Sequence, residues 1–253
     1  MKVVILAGGL GTRISEYTKT IPKPMIKICG KPIIHRIIDH YVSYGHNEFY
    51  IALGYKGFFI KKFFLDYNEQ FSDLTIDFKN NKILKHNETK ESWEINLIDT
   101  GEQTPTGGRI KKIMEFIGDE RVMVTYGDGL CNLNIKQLLE FHNNHKKLAT
   151  ITAVRPSARF GELELEGDKI TSFKEKPQSK KGWINGGFFV FNYKVFDFIK
   201  GDKTMLEKEP LQKLAKIGQL AGFKHEGFWQ CMDTMRDKAF LNKLVKQNKI
   251  PWK

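Results

Sequence analysis

Five apolar residues, Val3 to Ala7, run directly into Gly8-Gly9-Leu10-Gly11-Thr12-Arg13. This junction constrains the chain more than any other part of it. An unbroken apolar run reads as a strand buried on both faces, the habit of parallel sheets. A turn with three glycines permits φ > 0 and close approach of a ligand. Successive backbone N–H groups in such a turn form an anion-binding concavity. Arg13, and beyond it Lys23 in Pro22-Lys23-Pro24, add fixed positive charge. Together these parts describe a site for a polyphosphate. The glycine spacing is neither the dinucleotide fingerprint nor the P-loop. Taken without its flanks, it also reads as a plain strand followed by a turn.

The rest of the first half repeats the alternation of strand and helix. Pro32 to Tyr44 carries Ile33, Ile34, Ile37, Ile38 and Tyr41 at helical spacing, Phe49 to Leu53 reads as a strand, and Gly57 to Tyr67 as a helix. Ile95 to Leu97 is a short strand, Gly107 to Phe116 a helix, and Val122 to Tyr126 a buried strand ending at Gly127-Asp128-Gly129. This order predicts an α/β, doubly wound, mostly parallel sheet flanked by helices. Ligands in such sheets sit beyond the carboxyl ends of the strands, where Gly8 and Asp128 fall. The second half differs. Ala149 to Val154 is a strand, 161–165 and 170–174 alternate as antiparallel strands near an edge, and Phe188 to Phe191 is apolar on both faces. Glu209 to Ile217 and Met235 to Gln247 read as helices. No linker divides the chain, so residues 1–253 are expected to form one domain, with a nucleotide lobe (1–130) and an acceptor lobe with C-terminal helices (131–253).

Charge and composition narrow the function. The formal net charge is +12, but the lysines are scattered and form no run of five. Most read as solvated surface, and no nucleic-acid motif accompanies them, so no nucleic-acid partner is expected. No apolar stretch approaches the roughly 20 residues that span a bilayer, so no membrane role is expected. Three cysteines, Cys29, Cys131 and Cys231, have no metal or disulfide spacing, which fits a reducing cytoplasm. His35, His40, His142 and His145 lie on helices and are expected at the surface. The homo-oligomer is the expected state of assembly.

Asp128 follows a buried strand between two glycines, and Asp233 follows Trp229-Gln230-Cys231-Met232. Each has an ordinary structural reading, as a turn aspartate or as a helix N-cap. As a pair they have another. Mg²⁺ prefers hard oxygen ligands, typically one or two carboxylates plus phosphates.

The full pattern, L-A-G-G-x-G-T-R followed by P-K-P, resembles the signature of the sugar-phosphate nucleotidyltransferases. These enzymes join a nucleoside monophosphate from an NTP to a phosphorylated acceptor and release pyrophosphate. Gly54-Tyr55-Lys56-Gly57, Thr106-Gly107-Gly108-Arg109, Arg159-Phe160-Gly161, Glu175-Lys176-Pro177 and Ile184-Asn185-Gly186-Gly187 extend the likeness along the chain. It is nearest to the glucose-1-phosphate cytidylyltransferases of that family. The resemblance implies a Rossmann-like fold with an antiparallel acceptor-side extension, CTP as donor and Mg²⁺ as cofactor. It implies Asp128 and Asp233 as metal ligands, Arg13 on the leaving phosphates and Lys23 on the α-phosphate. Leu6, Ala7, Gly8, Gly9, Gly11, Thr12, Thr104, Gly108, Arg109 and Gly127 would bind the nucleotide, and Glu175, Lys176, Asn185 and Gly186 the acceptor.

Two segments depart from the pattern beside the acceptor pocket: Arg155 to Ala158, and Gln178 to Trp183 with Lys180 and Lys181. They leave open a phosphorylated acceptor other than glucose 1-phosphate, such as an amino-acid derivative. A non-catalytic nucleotide-sensing subunit would be expected to lack some of Arg13, Lys23, Asp128 and Asp233, and all four are present.

Overall fold

The structure is a computed structural model that describes residues 1–87, 91–156, 162–166, 168–174 and 182–252. Its centre is a seven-stranded sheet. The strands are β1 (Val3–Leu6), β2 (Glu48–Leu53), β3 (Glu94–Asp99), β4 (Val122–Tyr126), β5 (Ala149–Val154), β6 (Ile184–Phe191) and β7 (Leu220–His225). Their spatial order is β7-β5-β6-β4-β1-β2-β3. Every pairing is parallel except those of β6, which runs antiparallel to both β4 and β5.

Six helices matter to the argument: α1 (Ile33–Val42), α2 (Gly57–Leu65), α3 (Thr106–Ile117), α4 (Ile135–His145), α5 (Glu209–Lys216) and α6 (Met235–Lys246). Neighbouring strand residues point to opposite faces. Val3, Ile5, Phe49, Ile51 and Met123 therefore join one core with apolar residues of α1, α2, α4 and α6. Val4, Leu6, Tyr50, Ala52 and Val124 join a second core with those of α3 and α5. Helices on both faces are why β1 and β4 carry no polar alternation. The mostly parallel, doubly wound sheet expected from the sequence is present.

Several details differ from expectation. The helix expected over 57–67 stops at Leu65, and a separate short helix covers Tyr67–Phe71. Strands Glu162–Glu166 and Lys169–Lys174 are antiparallel but form their own two-stranded ladder, while β7 takes the edge of the main sheet. A second hairpin, Asp73–Asp77 with Lys82–His86, was not expected from the sequence; it carries no buried residue among its ten, although Leu74 and Ile76 alternate with polar neighbours.

The histidines need a larger correction. His35, His40 and His142 are buried rather than exposed. His35 finds partners in Asp39 and Tyr67. His142 and His145 both meet the Thr150 hydroxyl, at 2.8 and 2.7 Å. Burial pushes His40 and His142 down to about 4, so both are neutral core side chains near pH 7.

Candidate active site

Strands β1 and β4 are adjacent and in register, Leu6 opposite Tyr126. Their carboxyl ends therefore open at one level. The amide of Gly127 donates to the Leu6 carbonyl at 3.0 Å and ties the two exits together. Gly11 takes the left-handed conformation, φ 63°, as the chain turns into the short helical turn Thr12–Ile14. That turn leaves Arg13 69 % exposed, with Nη1 2.6 Å from Asp233 Oδ2.

Pro22-Lys23-Pro24 holds Lys23 beneath the loop, its side chain only 9 % exposed. Its Nζ lies 2.5 Å from Asp128 Oδ2 and 2.5 Å from Asp233 Oδ1. Burial works against this charge. The neighbouring carboxylates more than offset it, Asp128 above all, and hold the ammonium well above the ordinary lysine range.

A short antiparallel ladder brings the two aspartates together across 105 residues of sequence. Gly129–Cys131 pairs with Trp229–Cys231, Gly129 opposite Cys231, and Met232 N donates to Asp128 O at 2.9 Å. The N-cap role open to Asp233 falls instead to Thr234, which forms a capping box with Asp237 at the start of α6. Asp233 is thus left for the cluster.

Ligand atoms of Asp128, Cys231 and Asp233 lie within 4.8 Å of one another. The donor set fits a hard divalent cation through its two carboxylates, with water and phosphate oxygens completing the shell. Cys231 does not belong to such a set, because a thiol is a soft ligand and a hard divalent cation of this kind takes oxygen. The Lys23 ammonium already rests between the two carboxylates as a resident cation.

A cavity of about 350 Å³ opens beside this cluster. Of the residues expected on the nucleotide, Leu6, Ala7, Gly8, Gly9, Gly11, Thr12, Thr104, Arg109 and Gly127 line it, as do Arg13, Lys23 and Asp128. Gly108 does not line it. An added Cβ there would fall 2.1 Å from the Asp202 carbonyl, so its bareness admits the 202–204 backbone rather than a ligand.

Gly8 also differs from the reading of its turn. Its missing side chain makes room for Arg109, whose guanidinium would meet a Cβ at 2.2 Å. Arg109 is 4 % exposed. Its Nη1 donates to Leu53 O, Thr100 Oγ1 and Gly101 O, and its Nη2 to Gly8 O and Glu102 O, all at 2.7–3.0 Å. One side chain therefore fastens the exits of β1, β2 and β3.

Of the residues expected on the acceptor, Asn185 Nδ2 donates to Tyr126 Oη at 3.2 Å and the Gly186 carbonyl accepts from Trp229 Nε1 at 2.8 Å, and neither lines the cavity. The Arg155 guanidinium lies 4.5 Å over the ring of Trp183. Glu175, Lys176, Lys180 and Lys181 fall outside the described residues. Sequence reasoning missed Thr106, Tyr126, Met205 and Glu207 on the cavity wall. Thr106 and Tyr126 stand inside motifs it had singled out. Met205 and Glu207 precede an ordinary helix start and carry no local signal.

The nucleotidyl transferase family model matches residues 2–237. The chain is 48% identical to the glucose-1-phosphate cytidylyltransferase of Salmonella typhi over 254 residues, covering 100% of this chain and 99% of the relative. It is 45% identical to the probable glucose-1-phosphate cytidylyltransferase of Bacillus subtilis (strain 168) over the same shares. Among solved structures, HddC from Yersinia pseudotuberculosis complexed with GMP-PN is 26% identical, with a TM-score of 0.69 over 96% of this chain and 99% of that one. UDP-glucose pyrophosphorylase complexed with UDP-glucose has a TM-score of 0.70 at 17% identity over 98% of each chain, a likeness of fold. The match begins one residue before the strand that feeds the glycine turn and runs past Asp233 to the capping residue Asp237, so it takes in both halves of the charged cluster. The chain belongs to the nucleotidyl transferase family.

Proposed function

We propose that this protein transfers CMP from CTP to glucose 1-phosphate, giving CDP-glucose and pyrophosphate. The observation that carries the reading is the end-to-end similarity to glucose-1-phosphate cytidylyltransferases, 48% over the whole chain. The acceptor phosphate oxygen attacks the α-phosphorus, the bond to the bridging oxygen of the β-phosphate breaks, and pyrophosphate leaves. Both reactants are anionic, so the protein's task is positioning and charge neutralisation. Arg13, exposed at the cavity mouth, meets the leaving phosphates. Lys23 turns from the aspartates to the α-phosphate, where charge develops. Asp128 and Asp233 would hold Mg²⁺, which supplies charge neutralisation on the phosphates when bound. Thr104 and the Arg109 wall face the base. Glu175, Lys176, Asn185 and Gly186 hold the acceptor.

The test is pyrophosphate release with CTP, UTP, dTTP, ATP and GTP, each against a panel of sugar and non-sugar phosphates. The highest kcat/KM is expected with CTP and glucose 1-phosphate. Cytosine and uracil exchange a donor for an acceptor at the 4-position, and a mismatched buried group costs roughly 1–3 kcal/mol. Comparable kcat/KM for CTP and dTTP overturns the donor. Tight CTP binding with turnover only on a non-sugar phosphate overturns the acceptor. For the metal, Asp128→Asn and Asp233→Asn are expected to remove most activity with the fold retained, and undiminished rates in EDTA would refute both assignments.

A further inference from the structure

Glu207 enters the cavity from a loop that has a purpose-built seat. Thr106, Gly107 and Gly108 open α3, and the 202–207 segment lies directly on them. The Gly108 amide donates to Thr204 O at 3.0 Å, and the Leu206 amide donates to the Thr106 hydroxyl at 3.0 Å. A Cβ on Gly107 would sit 2.7 Å from Thr204 O. This close approach delivers the Glu207 carboxylate to two hydroxyls, Thr106 Oγ1 at 2.6 Å and Tyr126 Oη at 2.5 Å.

The direction of every proton in this network follows from its ends. The Asn185 carbonyl oxygen accepts from Gly187 N at 2.8 Å, so the Asn185 NH₂ must face Tyr126, to which it donates. Tyr126 therefore spends its own proton on Glu207. Thr106 accepts from Leu206 N and likewise spends its proton on Glu207. Both chains converge on one group that has to accept twice and donate nothing, which is the property of a carboxylate.

We propose that Glu207 is a positioning residue: it fixes Tyr126, and through Tyr126 the Asn185 amide, and so holds the acceptor wall in register with the nucleotide wall that contains Thr106. This rests on the cytidylyltransferase reading and on Asn185 belonging to the acceptor site. A glutamine at 207 turns an NH₂ toward one of the hydroxyls, which then faces a donor and is left with no acceptor for its own proton. The Glu207→Gln substitution therefore misaligns the wall with almost no change in volume.

The experiment measures kcat and both KM values for wild type, Glu207→Gln, Tyr126→Phe and the double variant, with thermal melting of each. Glu207→Gln is expected to raise KM for glucose 1-phosphate about tenfold, with a smaller rise for CTP, since small misplacements of bound groups carry large rate penalties. The double variant is expected to be no worse than the weaker single variant, because both act through one network. Wild-type KM values for Glu207→Gln, or effects that multiply in the double variant, would overturn the proposal. So would a lowered melting temperature as the sole change. Wild-type protein that fails to turn over CTP with glucose 1-phosphate overturns the functional reading instead, so the two failures are distinct.

Discussion

The two walls of the cavity are built on opposite plans. The glycine turn after β1 carries Arg13, a cation 69 % exposed and held by one ion pair. The wall formed by residues 100–109 carries Arg109, a cation 4 % exposed and spent on five hydrogen bonds inside the protein. The glycines do not all follow this division: a Cβ on Gly9 would meet nothing within 4 Å and on Gly108 would collide with the Asp202 backbone, but on Gly8, in the turn itself, it would meet the Arg109 guanidinium. Both segments read from sequence as glycine-plus-arginine phosphate or nucleotide binders. In one the arginine is left exposed at the cavity mouth, and in the other it is spent on joining the strand exits. Residue type and spacing do not separate these uses, because a bare Cα can admit either a substrate or another stretch of chain.

Stability measurements put this contrast at risk. The largest effect is expected from Arg109→Ala, which strips partners from four carbonyls and a hydroxyl. A cost of about 4 kcal/mol is expected, corresponding to a fall in Tm of roughly 10 °C for a chain of this size. A melting temperature near that of wild type would mean that Arg109 is held for ligand contact rather than for the fold. Gly108→Ala ranks next. A Cβ placed 2.1 Å from a backbone oxygen forces the 202–204 segment away, at a cost of about 2–3 kcal/mol, visible in chemical denaturation. The smallest effect on stability belongs to Arg13→Ala. An exposed ion pair contributes about 0–1 kcal/mol, so its denaturation midpoint should stay close to wild type while kcat/KM for CTP falls steeply. Destabilisation on the scale of Arg109→Ala would erase the distinction between the walls.

What could be read from the chain follows the range of the interactions. The β1 strand, its turn and the helix from Ile33 are visible because period and glycine content act over a few neighbouring residues. Asp128 stands out because it follows an apolar run and is flanked by glycine. Its partner Asp233 was identified through resemblance, and the physical cause of their meeting, a three-residue ladder between Gly129–Cys131 and Trp229–Cys231, leaves no pattern of its own. Glu207 was invisible for the same reason: its partner Thr106 lies 101 residues away. The burial of His35 and His142 was misjudged because polar side chains on helices usually face water. Here Tyr67 and Thr150 supply hydrogen-bonding partners within the core.

The bridge made by Lys23 bears on the order in which the site fills. A divalent ion taking the seat between Asp128 and Asp233 has to displace an ammonium already bonded to both. The intrinsic affinity of the aspartates for that ion is lowered by the fraction of time the seat is taken. A triphosphate that draws Lys23 and Arg13 toward its own oxygens vacates the seat. Thermodynamic reciprocity then requires the ion to tighten the triphosphate by the same factor. The centre carries two carboxylates and two cations, a balanced set of charges. On the proposed assignment, donor and ion would act as a single cooperative ligand, coupled by the one lysine that bridges the two aspartates before they arrive.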